Sequence, residues 1–97
     1  MTAKQLLIAL NGNSLPKGDL KIEMFKFYNS MLGKSKYFTK RENPATNCGS
    51  CIQRVKTNIW KWYHHDDSAP TYKGFEFSGR YGVHNIPIYK IDGIKKK

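Results

Sequence analysis

Two cysteines three positions apart, in Cys48-Gly49-Ser50-Cys51, are the residues of this chain best placed to do chemistry. They open a stretch, residues 47–65, that also holds both tryptophans. A C-x-x-C at a helix start is the layout of thiol–disulfide exchange, because helix N-terminal charge lowers a thiol pKa and the thiolate is the nucleophile. No βαβ pattern surrounds the motif to supply a thioredoxin-like setting. At about 100° per residue, Cys48, Cys51, Ile52, Val55, Ile59 and Trp62 fall on one helical face. The thiols continue that apolar stripe, and free cysteine is commonly buried. The pattern therefore predicts packing residues rather than a reactive pair.

Other chemistries find less support. Cys48, Cys51 and His64 match the beginning of a zinc-finger spacing. In a continuous helix, however, His64 sits about 20 Å from Cys51, whereas zinc ligand bonds are about 2.0 to 2.3 Å. His65 fails in the same way, and His84 would bring the set to three ligands at most, so no metal is expected. Asp66 and Asp67 beside His64 and His65 offer a base and an orienting acid. Four polar residues ahead of Ala69-Pro70 read better as a helix C-terminus and turn, where histidine suits the helix dipole. Neither a G-x-x-x-x-G-K-[ST] nor a G-x-G-x-x-G phosphate cradle is present. No catalytic residue and no cofactor are expected.

Charge is the stronger signal. Lys plus Arg number 17 against 7 for Asp plus Glu, a net +10, which favours polyanionic partners. The most basic window, residues 34–41, carries Lys34, Lys36, Lys40 and Arg41 around Tyr37 and Phe38. It breaks helical periodicity and reads as a loop. The helix that follows adds Arg54 and Lys61 on its outer side, with Lys56 and Trp60 as an i, i+4 pair on its flank. Trp60 lies about 130° from the centre of the apolar stripe, which predicts that it is more exposed than Trp62. Lys73 and Arg80 add charge farther on, beside Tyr72 and Tyr81. Cations that contact phosphates and rings that stack on bases are the ingredients of single-strand binding. The expected function is non-catalytic nucleic-acid binding, with RNA or single strands favoured and no sequence signature of a known binding motif. The rival is an inhibitor or adaptor that sets the basic face against an acidic protein surface.

These residues must be positioned by a small chain. Ninety-seven residues make one domain, and the pattern predicts an α+β fold of two or three helices with a C-terminal β-hairpin. Thr2-Ala3-Lys4-Gln5 has capping-box form ahead of a short apolar run ending at Leu10, with Asn11-Gly12-Asn13 to stop it. A buried strand is the competing reading of that run. Asp19 is expected to cap a second helix over residues 20–32, closed by Gly33, with Leu20, Met24, Phe27 and Met31 as its main stripe. Thr46 or Asn47 is expected to cap the third. Residues 71–77 and 83–91 read as the strands, with residues 78–82 as the turn. Pro87 cannot donate to a ladder, so its strand is an edge or begins late. Asp92-Gly93 turns the chain, and residues 95–97 are a frayed basic tail. No apolar run approaches the roughly 20 residues that span a bilayer, so no membrane partner is expected. The first residues lack a signal-peptide layout. The expectation is a cytoplasmic protein with reduced cysteines.

Phe27-Tyr28-Asn29, then Gly33-Lys34, then Asn47-Cys48-Gly49-Ser50-Cys51-Ile52-Gln53-Arg54-Val55 together resemble short accessory proteins of tailed bacteriophages. The resemblance covers the middle third of the chain. It implies an accessory or host-takeover protein made in a bacterial host cytoplasm, with an acidic host protein as the partner in the rival reading. It transfers no catalytic residues.

Overall fold

The computed structural model describes residues 2–11 and 15–91. In chain order they form helices α1 (Ala3–Ala9), α2 (Asp19–Ser30) and α3 (Gly49–His65), strand β1 (Phe75–Tyr81), a 3-10 turn (Val83–Asn85) and strand β2 (Pro87–Ile91). This is the expected α+β class, three helices followed by an antiparallel two-stranded hairpin. No described helix is long and apolar enough to cross a membrane.

The first run is a helix, not a strand, and its start explains why. Thr2 Oγ1 accepts from the Gln5 backbone N–H at 3.1 Å, and Gln5 Oε1 accepts from the Thr2 N–H at 2.9 Å. This reciprocal pair satisfies two N–H groups that a short helix otherwise leaves open. Leu6, Leu7 and Leu10 are buried against α2. The stop signals Gly12 and Asn13 lie outside the described residues, as do Asp92-Gly93 and the tail at 95–97.

Helix α2 begins one residue earlier than expected. Gly18 occupies the N-cap without a side-chain bond, and Asp19 is the first helical residue, with its carboxylate near the positive end of the dipole. The helix ends at Ser30, and Met31 is the C-cap. Met24, Phe25 and Tyr28 are its deepest residues, with Leu20, Phe27 and Met31 packed beside them and Ile22 exposed. The buried face is thus rotated toward Phe25 and Tyr28 from the expected stripe.

Helix α3 is the centre of the domain, because α2 packs on one side of it and β2 on the other. Ile52, Val55, Ile59 and Trp62 are buried as their spacing requires. The expected exposed flank is not exposed. Trp60 is 2 % exposed, Trp62 4 % and Lys56 1 %. The hairpin covers that flank: the Trp60 ring stacks on Tyr89 with centroids 5.6 Å apart and an interplanar angle of 21°. Its Nε1 donates to the Leu10 carbonyl at 3.4 Å. The order of exposure predicted for the two tryptophans is therefore overturned, and both are core residues.

The hairpin pairs Phe75 with Ile91, Glu76 with Lys90 and Phe77 with Tyr89, and then shifts register before Tyr81 meets Pro87. Most of the expected turn at residues 78–82 is instead the end of β1, which runs to Tyr81. Gly79, at φ +84°, lies in that irregularity, where a left-handed backbone favours glycine. The chain reverses later, at His84 and Asn85, both with positive φ (59° and 60°), and Ile86 N–H donates back to the Val83 carbonyl at 3.3 Å. Two successive positive φ values define a type I′ hairpin turn. Pro87 opens β2, one of the strand positions that tolerate a residue without an N–H.

Candidate functional site

The loop between α2 and α3 carries the densest positive charge and is held down at four points. Phe38 is fully buried, with its ring against Phe27, Tyr28 and Trp62. The Asn29 side chain pairs with the Glu42 backbone in both directions, donating to its carbonyl at 2.9 Å and accepting from its N–H at 3.0 Å. Glu42 in turn receives Arg54 Nη2 at 2.9 and 3.0 Å. Lys21 Nζ donates to the Thr46 carbonyl at 2.8 Å, just ahead of α3. The two rings of the basic window thus divide their roles. Phe38 is the anchor, while Tyr37 stays half-buried at the surface with Lys36 Nζ 5.4 Å from its ring centre.

These anchors bring Tyr37 to the outer side of α3. Tyr37, Lys61, His65, Tyr81 and Asn85 line one open surface depression. Lys61 and Asn85 also line the neighbouring one, with Arg54, Thr57, Asn58 and His84. The two form a continuous shallow groove between α3 and the hairpin turn. Tyr81 is 49 % exposed, yet its hydroxyl lies 3.2 Å from His64 Nε2, so the ring is a fixed platform at the edge of the groove.

Of the residues expected to bind nucleic acid, Tyr37, Arg54 and Lys61 line this groove. Lys34, Lys36, Lys40 and Arg41 are exposed on the loop, Lys73 in the turn ahead of β1 and Arg80 on β1, outside the two depressions. Lys56 and Trp60 are removed from the surface set, because both are buried under β2. Lys56 instead lines a cavity of about 180 Å³ with Trp60, Gln53 and Pro87, where burial pushes its pKa down. Among the groove residues that escape a reading of charge and aromatics are Asn58, His65, His84 and Asn85. His84 and Asn85 reach the groove through the type I′ turn, and both are residue types that tolerate left-handed backbone.

Arg54 is partly committed. Its ion pair with Glu42 is half exposed on the arginine side, and Glu42 raises the guanidinium pKa further. A phosphate in the groove competes with one carboxylate for Arg54, whereas among the described residues Lys61 forms no ion pair.

The cysteines are not the packing residues that the stripe implies. Cys48 is exposed and Cys51 half-buried. Cys48 itself is the N-cap of α3, in place of Thr46 or Asn47, and its Sγ accepts the Cys51 N–H at 3.3 Å. Thr46 Oγ1 accepts the Cys48 N–H at 3.1 Å. The stripe fails here because a capping residue stands outside the helix, with its side chain turned back to the open first-turn N–H groups. No group of three or more His, Cys, Asp or Glu side chains is arranged to hold a metal among the described residues.

A pH response is built into the hairpin contact. The Tyr89 hydroxyl lies 2.7 Å from His64 Nδ1, and Tyr81 approaches the other nitrogen. Burial, and secondarily the neighbouring His65, hold the His64 pKa below its ordinary 6.5. The neutral ring is the form the fold prefers. The contribution is present above 6.5 and is lost as pH falls through the lowered value. Thermal melts between about pH 8 and 5 should show falling stability toward acid, and His64→Gln should flatten that slope. Asp66, held below 3.8 by the Ser35 hydroxyl, titrates in a separate, more acid window.

Fold and groove together define a small basic α+β domain with a mixed cationic and aromatic surface. In comparisons with protein-family models, curated proteins and solved structures, none matches this chain.

Proposed function

We propose that this protein binds single-stranded nucleic acid, RNA included, without catalysing a reaction on it. The observation that carries the reading is the composition of one groove. Tyr37 and Tyr81 stand at a depression whose other members include Lys61 and His65, and it continues to Arg54. A sugar–phosphate backbone is attracted by the cations and by the net +10 of the chain. Unstacked bases are received by the tyrosine faces, a contact that any base can make. Asn58 and Asn85 add amide groups that can bond to base edges or ribose. A duplex, whose bases are already stacked, offers the phosphates alone. The reading also accommodates a phage-encoded accessory factor acting in a bacterial host, as the sequence resemblance implies.

The test is anisotropy of labelled mixed-sequence RNA and DNA, single- and double-stranded, over a range of salt. Wild type should prefer single strands and weaken steeply with salt. Lys61→Ala should reduce the log–log salt slope by about one at most. Tyr81→Ala should cost about 1–3 kcal/mol for single strands and little for duplexes. Absence of binding near physiological salt would refute the proposal and leave an acidic protein surface as the partner to seek.

A further inference from the structure

At the N-terminus of α3, where Ser50 and Arg54 line the near end of the groove, the chain carries a pair of thiols that nucleic-acid binding does not use. We propose that Cys48 and Cys51 are a reversible dithiol–disulfide pair that exchanges with external disulfides, with Cys48 as the attacking and Cys51 as the resolving thiol. The inference does not rest on nucleic-acid binding, although Ser50 and Arg54 belong to both places.

Four features of the site support it. The first is reach. Cys48, as the N-cap, holds its Sγ 3.3 Å from the Cys51 backbone nitrogen, so a small shift of the cap backbone with rotation of the two side chains brings the pair to the roughly 3.5–4.5 Å Cβ separation of a disulfide. The second is access, since Cys48 is exposed and Cys51 only half-buried. The third is asymmetry around Cys48. Its Sγ lies 3.3 Å from the Cys51 backbone nitrogen, which donates to it, and 3.3 Å from the Ser50 hydroxyl. Both contacts stabilise a thiolate, and they sit at the N-terminus of a 17-residue helix. Hydrogen bonding from the Cys51 thiol, then from Ser50, brings the Cys48 pKa down to about 7. The same bond, with burial, pushes Cys51 up. The fourth is the surrounding charge, because Arg54 lies on the next turn and acts on Cys51, so a thiolate formed there during resolution has a cation beside it.

The reaction balances. The Cys48 thiolate attacks one sulfur of a disulfide, forming a mixed disulfide and expelling the second sulfur as a thiolate that takes up a proton. Cys51 then loses its proton and attacks Cys48 Sγ, which expels the remaining thiolate. The chain loses two electrons and two protons, and the external disulfide becomes two thiols.

Oxidised glutathione is the probe. On wild type, limiting iodoacetamide near neutral pH should label Cys48 at least about fivefold faster than Cys51, since the larger thiolate fraction outweighs the lower nucleophilicity of a more acidic thiol. With glutathione disulfide, wild type should gain an internal disulfide, seen as the loss of two hydrogens by mass. Cys51→Ser should instead stop at the mixed disulfide on Cys48. Equal labelling of the two thiols, faster labelling of Cys51, or wild type that stays reduced or carries glutathione on both cysteines would overturn the proposal. Because the wild-type arms decide the matter, a poorly folded variant does not leave it open.

Discussion

Trp60→Ala is expected to cost about 3–5 kcal/mol of stability, the usual range for emptying a buried aromatic site. Small domains have only about 5–15 kcal/mol in total, so the variant should be partly unfolded at ambient temperature. The reason is where the indole sits. It stacks on Tyr89 of β2, meets Tyr63 edge-on at 6.1 Å, and donates to the last buried residue of the α1 segment, Leu10. One side chain therefore ties three parts of the chain together: α1, α3 and the hairpin. Urea unfolding followed by circular dichroism would measure the loss, as a lower midpoint with a similar slope. A residue on a solvated flank would instead change stability by no more than about 0.5 kcal/mol, and that result would remove Trp60 from the core. The distinction matters for binding experiments. Weak binding by Trp60→Ala reports a damaged fold, whereas Tyr81→Ala removes a half-exposed ring that contacts His64 and Phe77 and should lose single-strand affinity while lowering the urea midpoint far less than Trp60→Ala.

The elements were legible in the sequence because their signals are local. The Thr2 and Gln5 capping box, the i, i+3, i+4 spacing of Ile52, Val55 and Ile59, and the β-forming run around Pro87 each declare an element within a few residues. What escaped depends on contacts between distant segments. Periodicity marks the face of α3 that meets α2, but says nothing of a second neighbour. Tyr89 lies far along the chain from Trp60, and only the returning hairpin converts the Lys56 and Trp60 flank into interior. The turn was misplaced for a related reason. Glycines at 79 and 82 suggested the reversal, while the positive φ angles that make it belong to His84 and Asn85. The groove was half legible. Charge and aromatic content pointed to Tyr37, Arg54 and Lys61, but His65, Asn58 and the two turn residues join them only through the fold. For the cysteines, the stripe places Cys48 inside the helix, whereas it is the cap, and that difference of one position moves its thiol from interior to surface.

Phe38→Ala should rival the tryptophan variant, again at about 3–5 kcal/mol, although Phe38 belongs to a loop. The ring is fully buried. Its centroid lies 5.3 Å from Tyr28 and 5.6 Å from Trp62, with Phe27 edge-on at 6.2 Å. Edge-to-face pairs of this kind add to the area they bury. The backbone around it is closed by Gly33 N–H to the Phe38 carbonyl and Phe38 N–H to the Ser35 carbonyl, both 3.1 Å, so the ring and its turn form one unit. Phe38→Leu, which keeps most of the apolar volume, should cost clearly less than alanine. Its neighbour Tyr37 provides the contrast. Tyr37→Ala should move the urea midpoint little, since the residue is half-buried, and should weaken single-strand binding by about 1–3 kcal/mol if the groove is the binding surface. The pair of adjacent substitutions thus separates the ring that holds the loop from the ring that faces the groove. A Phe38→Ala protein with wild-type stability would show that the loop is not anchored through this residue. The placement of Tyr37 beside Lys61 would then lose its structural basis, because it is the buried Phe38, together with the Asn29 clamp on Glu42, that brings the basic window to the outer side of α3.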